Sequence, residues 1–329
     1  MRAALALCLV LLGAACTTER APMPTIAPGT DPPSAPEPLS WRTGAAMPTP
    51  RTEVGAAAIS ESTLVAAGGF TADGSATAVV EAYDVAADTW SSLPELPSPR
   101  HHAGVAGLGG HVYVVGGYGA DGSALDDVVS LAPDEDAWRA EPAVPTARGA
   151  LAVAIVDGRI HAVGGATGFG GGGLTGAHEA FDPATGEWET LAPLPDPRDH
   201  LAAAGIGDVL YVVGGRKLSL TTNVDRLDIF EDDEWTSGPS MPTARGGLAA
   251  AATEDALIVV GGEQPSGTFE EAEVFDPVTQ EWTVAEPLPT PRHGLGAAAV
   301  RLEIVVVGGG PTPGLDVSDA TEILITPGR

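Results

Sequence analysis

The sequence is short of cysteine, of cations and of aromatic side chains. Its two cysteines, Cys8 and Cys16, both fall in the first sixteen residues. From residue 17 onward there is no disulfide, no thiolate nucleophile and no cysteine ligand for a metal. Sixteen Lys and Arg stand against 44 Asp and Glu, a formal net charge of −28. That balance excludes nucleic-acid binding driven by phosphate neutralisation, excludes a polybasic membrane contact, and reads as solubility. No later apolar stretch reaches membrane-spanning length. Nucleophile elbows, phosphate loops and dinucleotide fingerprints are missing. Helical periods are scarce, whereas short apolar runs between Gly and Pro turns are frequent, which predicts an all-β chain.

The first sixteen residues differ from the rest. Arg2 is followed by the ten-residue apolar stretch Ala3–Leu12, too short to span a bilayer, and this reads as an export signal. Gly13-Ala14-Ala15-Cys16 resembles a bacterial lipobox, which implies lipidation at Cys16; the alternative is cleavage that releases a secreted soluble protein. Residues 17–38 are rich in proline and lack apolar periodicity, so they are expected to be a disordered spacer. Residues 39–329 form the predicted folded domain, large enough to bury a core without disulfides.

What organises that domain is a Gly-Gly pair that closes a short apolar run six times: LVAAGG, VYVVGG, IHAVGG, LYVVGG, LIVVGG and IVVVGG. The first glycines (Gly68, Gly116, Gly164, Gly214, Gly261, Gly308) recur at intervals of 47 to 50 residues, the signature of a repeat architecture. Trp41, Trp90, Trp138, Trp188, Trp235 and Trp282 keep the same beat. So do Arg51, Arg100, Arg148, Arg198, Arg245 and Arg292, each following a proline-containing turn. After each arginine comes a run of small residues, such as HHAGVAGL or GLGAAAVR.

Trp, then Pro-x-x-Arg, then an apolar run ending in Gly-Gly, then an aromatic-Asp pair such as Tyr83-Asp84, Phe181-Asp182 or Phe275-Asp276, resembles the kelch repeat. The resemblance covers about residues 39 to 326. The second repeat departs from it with Leu131-Ala132-Pro133, and the fourth with Phe230-Glu231. It implies a six-bladed kelch-type β-propeller whose innermost strands are the small-residue runs. Trp41–Gly44 enters as an outer strand with no blade before it, and Thr321–Ile325 ends as a third strand with no outer partner. The N-terminal strand is therefore expected to join the last blade and close the ring.

Loops between second and third strands then share one face with the turns between blades. They are long and varied, and the fourth carries Arg216-Lys217. That face is the predicted binding face. The six periodic arginines open the inner strands there. They either bind backbone carbonyls, which would explain one per repeat, or line the channel mouth as an anion site. Non-repeating polar groups beside them are Glu53, His101, His102, Asp199, His200 and His293. Their ordinary reading is hydrogen bonding in loops; as acid or base groups they are placed only by position, Glu53 first. No two share the local spacing of a metal site, so neither metal nor cofactor is predicted. His161 stands where Tyr113 and Tyr211 stand and reads as packing.

The expected function is a monomeric, extracytoplasmic, membrane-tethered propeller that binds a protein or glycan partner through its long-loop face. Two alternatives are an enzyme acting on an acidic sugar, as the resemblance to six-bladed epimerases implies, and a structural envelope component. Copper chemistry of the galactose-oxidase kind needs a cysteine crosslinked to tyrosine, which the folded domain lacks.

Overall fold

The computed structural model describes residues 39–132, 134–170 and 172–325. The segments expected to be an export signal and a spacer, and Cys16, the expected lipidation site, lie outside them. Among the described residues there is no helix, hence none long and apolar enough to cross a membrane.

Six four-stranded antiparallel sheets form a six-bladed propeller. The first blade runs Gly55–Ala58, Thr63–Ala67, Val80–Asp84 and Thr89–Ser92, from the axis outward. The last blade takes Gly296–Val300, Glu303–Val307 and Thr321–Ile325 from the C-terminal repeat and Ser40–Thr43 from the start of the domain. Ser40 pairs with Ile325 and Thr43 with Glu322, so the ring closes as expected.

Small residues on the inner strands follow from crowding at the axis. A Cβ added to Gly107 would lie 1.8 Å from the carbonyl oxygen of Ala58 in the neighbouring blade. The channel they leave is lined by three residues from each of the six strands, every one Ala, Gly, Val or Ile, around about 250 Å³. Between blades, apolar clusters pair one second strand with the next, as where Val65 and Ala67 meet Val112 and Val114. Burial of such side chains is worth roughly 1.5–3 kcal/mol each.

The three periodic markers act as inter-blade joints. Both glycines of each pair have positive φ, 65° at Gly68 and 103° at Gly69, a conformation costly for other residues. There the N–H of the second glycine donates to the carbonyl of the next blade's arginine: Gly69 to Arg100, Gly165 to Arg198 and, closing the ring, Gly309 to Arg51. At the rim, each indole N–H donates to a backbone carbonyl in the segment leading into its blade: Trp90 to Ala45, Trp188 to Pro142, Trp41 to Glu286.

Candidate binding site at the mouth of the channel

The six arginines are placed differently from a channel-mouth anion site. All are fully buried within their blades. Arg148 donates to the carbonyls of Ala162, Gly164 and Thr146 and to the carboxylate of Glu179. Arg51 meets Glu81 at 2.7 Å, Arg100 meets Asp127 at 2.6 Å, Arg198 meets Asp228 at 2.8 Å and Arg292 meets Glu322. Arg245 lies 3.0 Å from Glu273, but two of its nitrogens and that carboxylate oxygen lack a hydrogen-bond partner, so this joint is the least satisfied. Burial pulls Arg51 down to about 10, with Glu81 acting against it. The expectation that some of these guanidiniums present an edge to a ligand is therefore corrected. They face backbone carbonyls and an acidic residue on or just before the third strand of the same blade, with no edge turned to the cavity. The acid recurs about 30 residues after each arginine, a periodicity readable in the sequence.

Two residues beyond each arginine the chain turns inward. Glu53, His102, Ala150, His200, Gly247 and Gly294 occupy this position, and all six have φ between 51° and 70°. Their backbones form a closed circle of hydrogen bonds: His102 to Glu53, Ala150 to His102, His200 to Ala150, Gly247 to His200, Gly294 to Gly247, and Val54 to Gly294. This circle is the floor of a cavity on the long-loop face. Only three of its members carry polar side chains, and these converge. His102 Nε2 lies 3.1 Å from His200 Nε2 and 3.1 Å from a carboxylate oxygen of Glu53.

Asp199 holds His200 through Nδ1 at 2.8 Å. Asp199 stays below the usual carboxylate range although burial works against it, because His200, the Leu218 N–H and Arg216 favour its anion. Burial, with His200 and His101 next to it, keeps His102 well below the ordinary imidazole range. His101 is pushed down to about 4 by burial, against the pull of Glu53; it stacks on Phe70 at 3.9 Å and contacts His102 at 2.6 Å, behind the cavity wall.

The next wall comes from residues that follow the Gly-Gly pairs. Each bridges back to the residue after an arginine: Tyr118 to His101, Arg216 to Asp199, Glu263 to Gly246. Arg216 binds Glu263 at 2.6 Å. His293 is fully buried 3.3 Å from the other oxygen of Glu263, yet both of its ring nitrogens lack hydrogen-bond geometry to any partner. Lys217 points outward to Asp196 and does not line the cavity. Above this polar floor stand Phe169, Leu218, Leu220 and Leu315, enclosing about 490 Å³. Glu263, Tyr118 and these apolar groups were not singled out from the sequence; the position after each Gly-Gly was the signal for the first two. His161 packs as expected, buried and 2.9 Å from His178.

Comparison with known proteins follows the same lines. A family profile described as the KLHDC2/KLHL20/DRC7 Kelch-repeats domain matches residues 37–215, and profiles of the Kelch motif match 197–242 and 244–289. Kelch-like protein 4 of Homo sapiens is 50% identical over 42 residues, which is 13% of this chain and 6% of that protein. Kelch-like ECH-associated protein 1B of Danio rerio is 49% identical over 47 residues, 14% of this chain and 8% of that protein. The chain thus spans under a tenth of the length of these relatives. The solved structure of YjhT superposes with a TM-score of 0.73 at 18% identity, over 85% of this chain and 96% of that one, a likeness of fold.

Proposed function

Because the chain belongs to the kelch-repeat family, whose propellers commonly serve as protein-interaction scaffolds, we propose that it is a binding propeller. It is exported and tethered through Cys16, and it captures a protein or glycan partner on the long-loop face. The partner inserts a group into the cavity at the channel mouth. One observation carries this reading. Phe169, Leu218 and Leu315 are 48%, 54% and 51% exposed, and all three stand around the same polar-floored cavity. Exposed apolar side chains gathered on the rim of a concave polar site are the pattern of a ligand site, whereas scattered ones need no explanation. The acidic-sugar alternative gains nothing from the geometry. Of the cations it required, the six arginines are sealed inside the blades, and the cavity wall presents three carboxylates and one guanidinium, that of Arg216.

The test is glycan-array binding together with photo-crosslinking in envelope extracts, with the crosslinker placed at position 315 or, as the control, at Val278, which is 87% exposed on the opposite end. A hit or crosslink from position 315 that disappears in Phe169→Ser and Leu218→Ser supports the reading. Equal capture from position 278, or capture indifferent to both substitutions, overturns it. Cys16→Ser should move the protein from the membrane to the soluble fraction.

A further inference from the structure

We propose that the channel mouth is a metal site in which Glu53, His102 and His200 hold a divalent first-row transition ion such as Zn²⁺. The inference stands whether the partner is a protein or a glycan.

Convergence of ligand atoms is the first observation. One carboxylate oxygen of Glu53, His102 Nε2 and His200 Nε2 all lie within 4.8 Å of one another, with two of the separations at 3.1 Å. A tetrahedral ion with bonds of about 2.1 Å holds its ligands about 3.4 Å apart, so only small side-chain adjustments are needed. Two histidines and a carboxylate facing an open cavity make a donor set suited to Zn²⁺ and its neighbours.

The second observation is the supporting shell. Asp199 accepts from His200 Nδ1 at 2.8 Å, which fixes the tautomer and leaves the lone pair of Nε2 facing His102. This carboxylate–histidine arrangement orients imidazoles at metal centres. Tight packing confines Glu53: a Cβ added to Gly294 would stand 2.7 Å from its carboxyl carbon.

Uncompensated charge is the third. The charged side chains of the cavity wall are Glu53, Asp199, Glu263 and Arg216. Among these four groups, three carboxylates against one guanidinium leave an excess of −2, and their side chains are only 4% to 12% exposed. Burying such an excess is costly without a counter-charge, and one divalent ion supplies it. A fourth, independent observation is His293. It is fully buried beside Glu263 with both nitrogens unpartnered, and with Glu53 and Glu263 it makes a second set of atoms within 4.8 Å. Glu53 belongs to both sets, so the site has ligands in reserve for a larger coordination number.

The experiment is a Co²⁺ titration of the full chain after stripping with EDTA, read by visible d–d absorption. Solvated Co²⁺ held loosely by the acidic surface does not give the intense bands of a low-coordinate site. Expected are intense bands saturating at about one equivalent and bleached by Zn²⁺. His102→Ala and His200→Ala should each lower affinity by about 100-fold or more. Asp199→Asn keeps all three ligands and should lower it by about 10- to 100-fold. Metal-free circular dichroism melts of each variant establish folding; should a histidine variant fail to fold, Asp199→Asn and Gly294→Ala carry the decision. Absence of intense bands in the wild-type chain, or bands that survive unchanged in Asp199→Asn and Gly294→Ala, overturns the proposal.

Discussion

Two circles of side chains surround the axis two residues apart in every repeat, and they obey opposite rules. At the first position all six residues are arginine, all are fully buried, and each sits beside an acid of its own blade. At the second, the six residues are Glu, His, Ala, His, Gly and Gly on one shared backbone conformation. The first circle repeats because its task repeats: in five of the six blades the guanidinium donates to the carbonyl of the first glycine of a Gly-Gly turn, and Arg245 donates to the Val259 carbonyl just before it, while the N–H of the second glycine is joined to the next blade. The second circle has a repeated backbone and unrepeated side chains. Constancy there is a matter of geometry, and the differences are what a ligand meets. In a repeat protein, the position that keeps its φ but changes its side chain is where specificity is found.

Breaking the first circle should have the largest effect. Arg148→Ala leaves Glu179 as a buried anion without its cation and strands three carbonyls, a cost of about 3–5 kcal/mol, read as a fall in urea midpoint. The same change in blade five, Arg245→Ala, should cost less, since that arginine lacks partners at two nitrogens.

A second comparison sets the buried pair His161 and His178 against the mouth histidines. Burial holds His161 down to about 4, with Arg159 adding to it, and His178 down to about 3, with His161 adding to it. His178 Nδ1–H donates to the Ala192 carbonyl, so its Nε2 accepts from His161 and both rings are neutral. Folded values lie below the unfolded value of about 6.5, so the unfolded chain takes up protons first. Stability from this pair is complete above pH of about 6.5 and is lost as pH falls. The slope is about 1.4 kcal/mol per pH unit for each ring, or about 2.7 for both, between roughly pH 6 and 4. Urea melts at pH 7, 6 and 5 check it, and His161→Tyr, which copies the neighbouring repeats, should flatten part of the slope.

Glycine substitutions in the second circle separate strain from contact. Gly247→Ala meets nothing closer than 3.5 Å, so only its φ of 70° matters, and about 1–2 kcal/mol should be lost with Co²⁺ binding unchanged. Gly294→Ala has a similar φ but collides with Glu53 and should weaken Co²⁺ binding as well. The smallest effect belongs to Lys217→Ala. That exposed ion pair should contribute within about 0.5 kcal/mol, and the side chain lies off the cavity wall.

Much of this was legible in the sequence, because repetition is itself a measurement of structure. Six Gly-Gly pairs, six tryptophans and six arginines set the blade number, and an outer strand without a blade at one end, with a third strand without an outer partner at the other, set the closure. The arginines also illustrate the limit. Their period points to a structural role, yet the acids that neutralise them, from Glu81 to Glu322, are hard to read because the residue varies between Asp and Glu and its distance from the arginine shifts by a few residues. The mouth was less legible still. His102 and His200 are 98 residues apart, and a rule that looks for metal ligands at local spacing cannot see two groups brought together by ring closure. Glu263 looked like one acid among 44, and only its place directly after a Gly-Gly pair set it apart.

Pairing of Ser40 with Ile325 across 285 residues has a consequence in time. A chain is synthesised from its N-terminus, so the outer strand of the last blade exists first and its partner arrives last. Bringing those ends together has a loop-closure cost of roughly 5 kcal/mol, recovered only when every intermediate blade is in place. A product cut short before Thr321 leaves Ser40–Thr43 without its partner and Glu303–Val307 with an unpaired sheet edge, and is a target for aggregation or proteolysis. The seam therefore makes the last blade a joint product of both ends of the propeller: its four-stranded sheet exists only where Ser40–Thr43 and Thr321–Ile325 are both present.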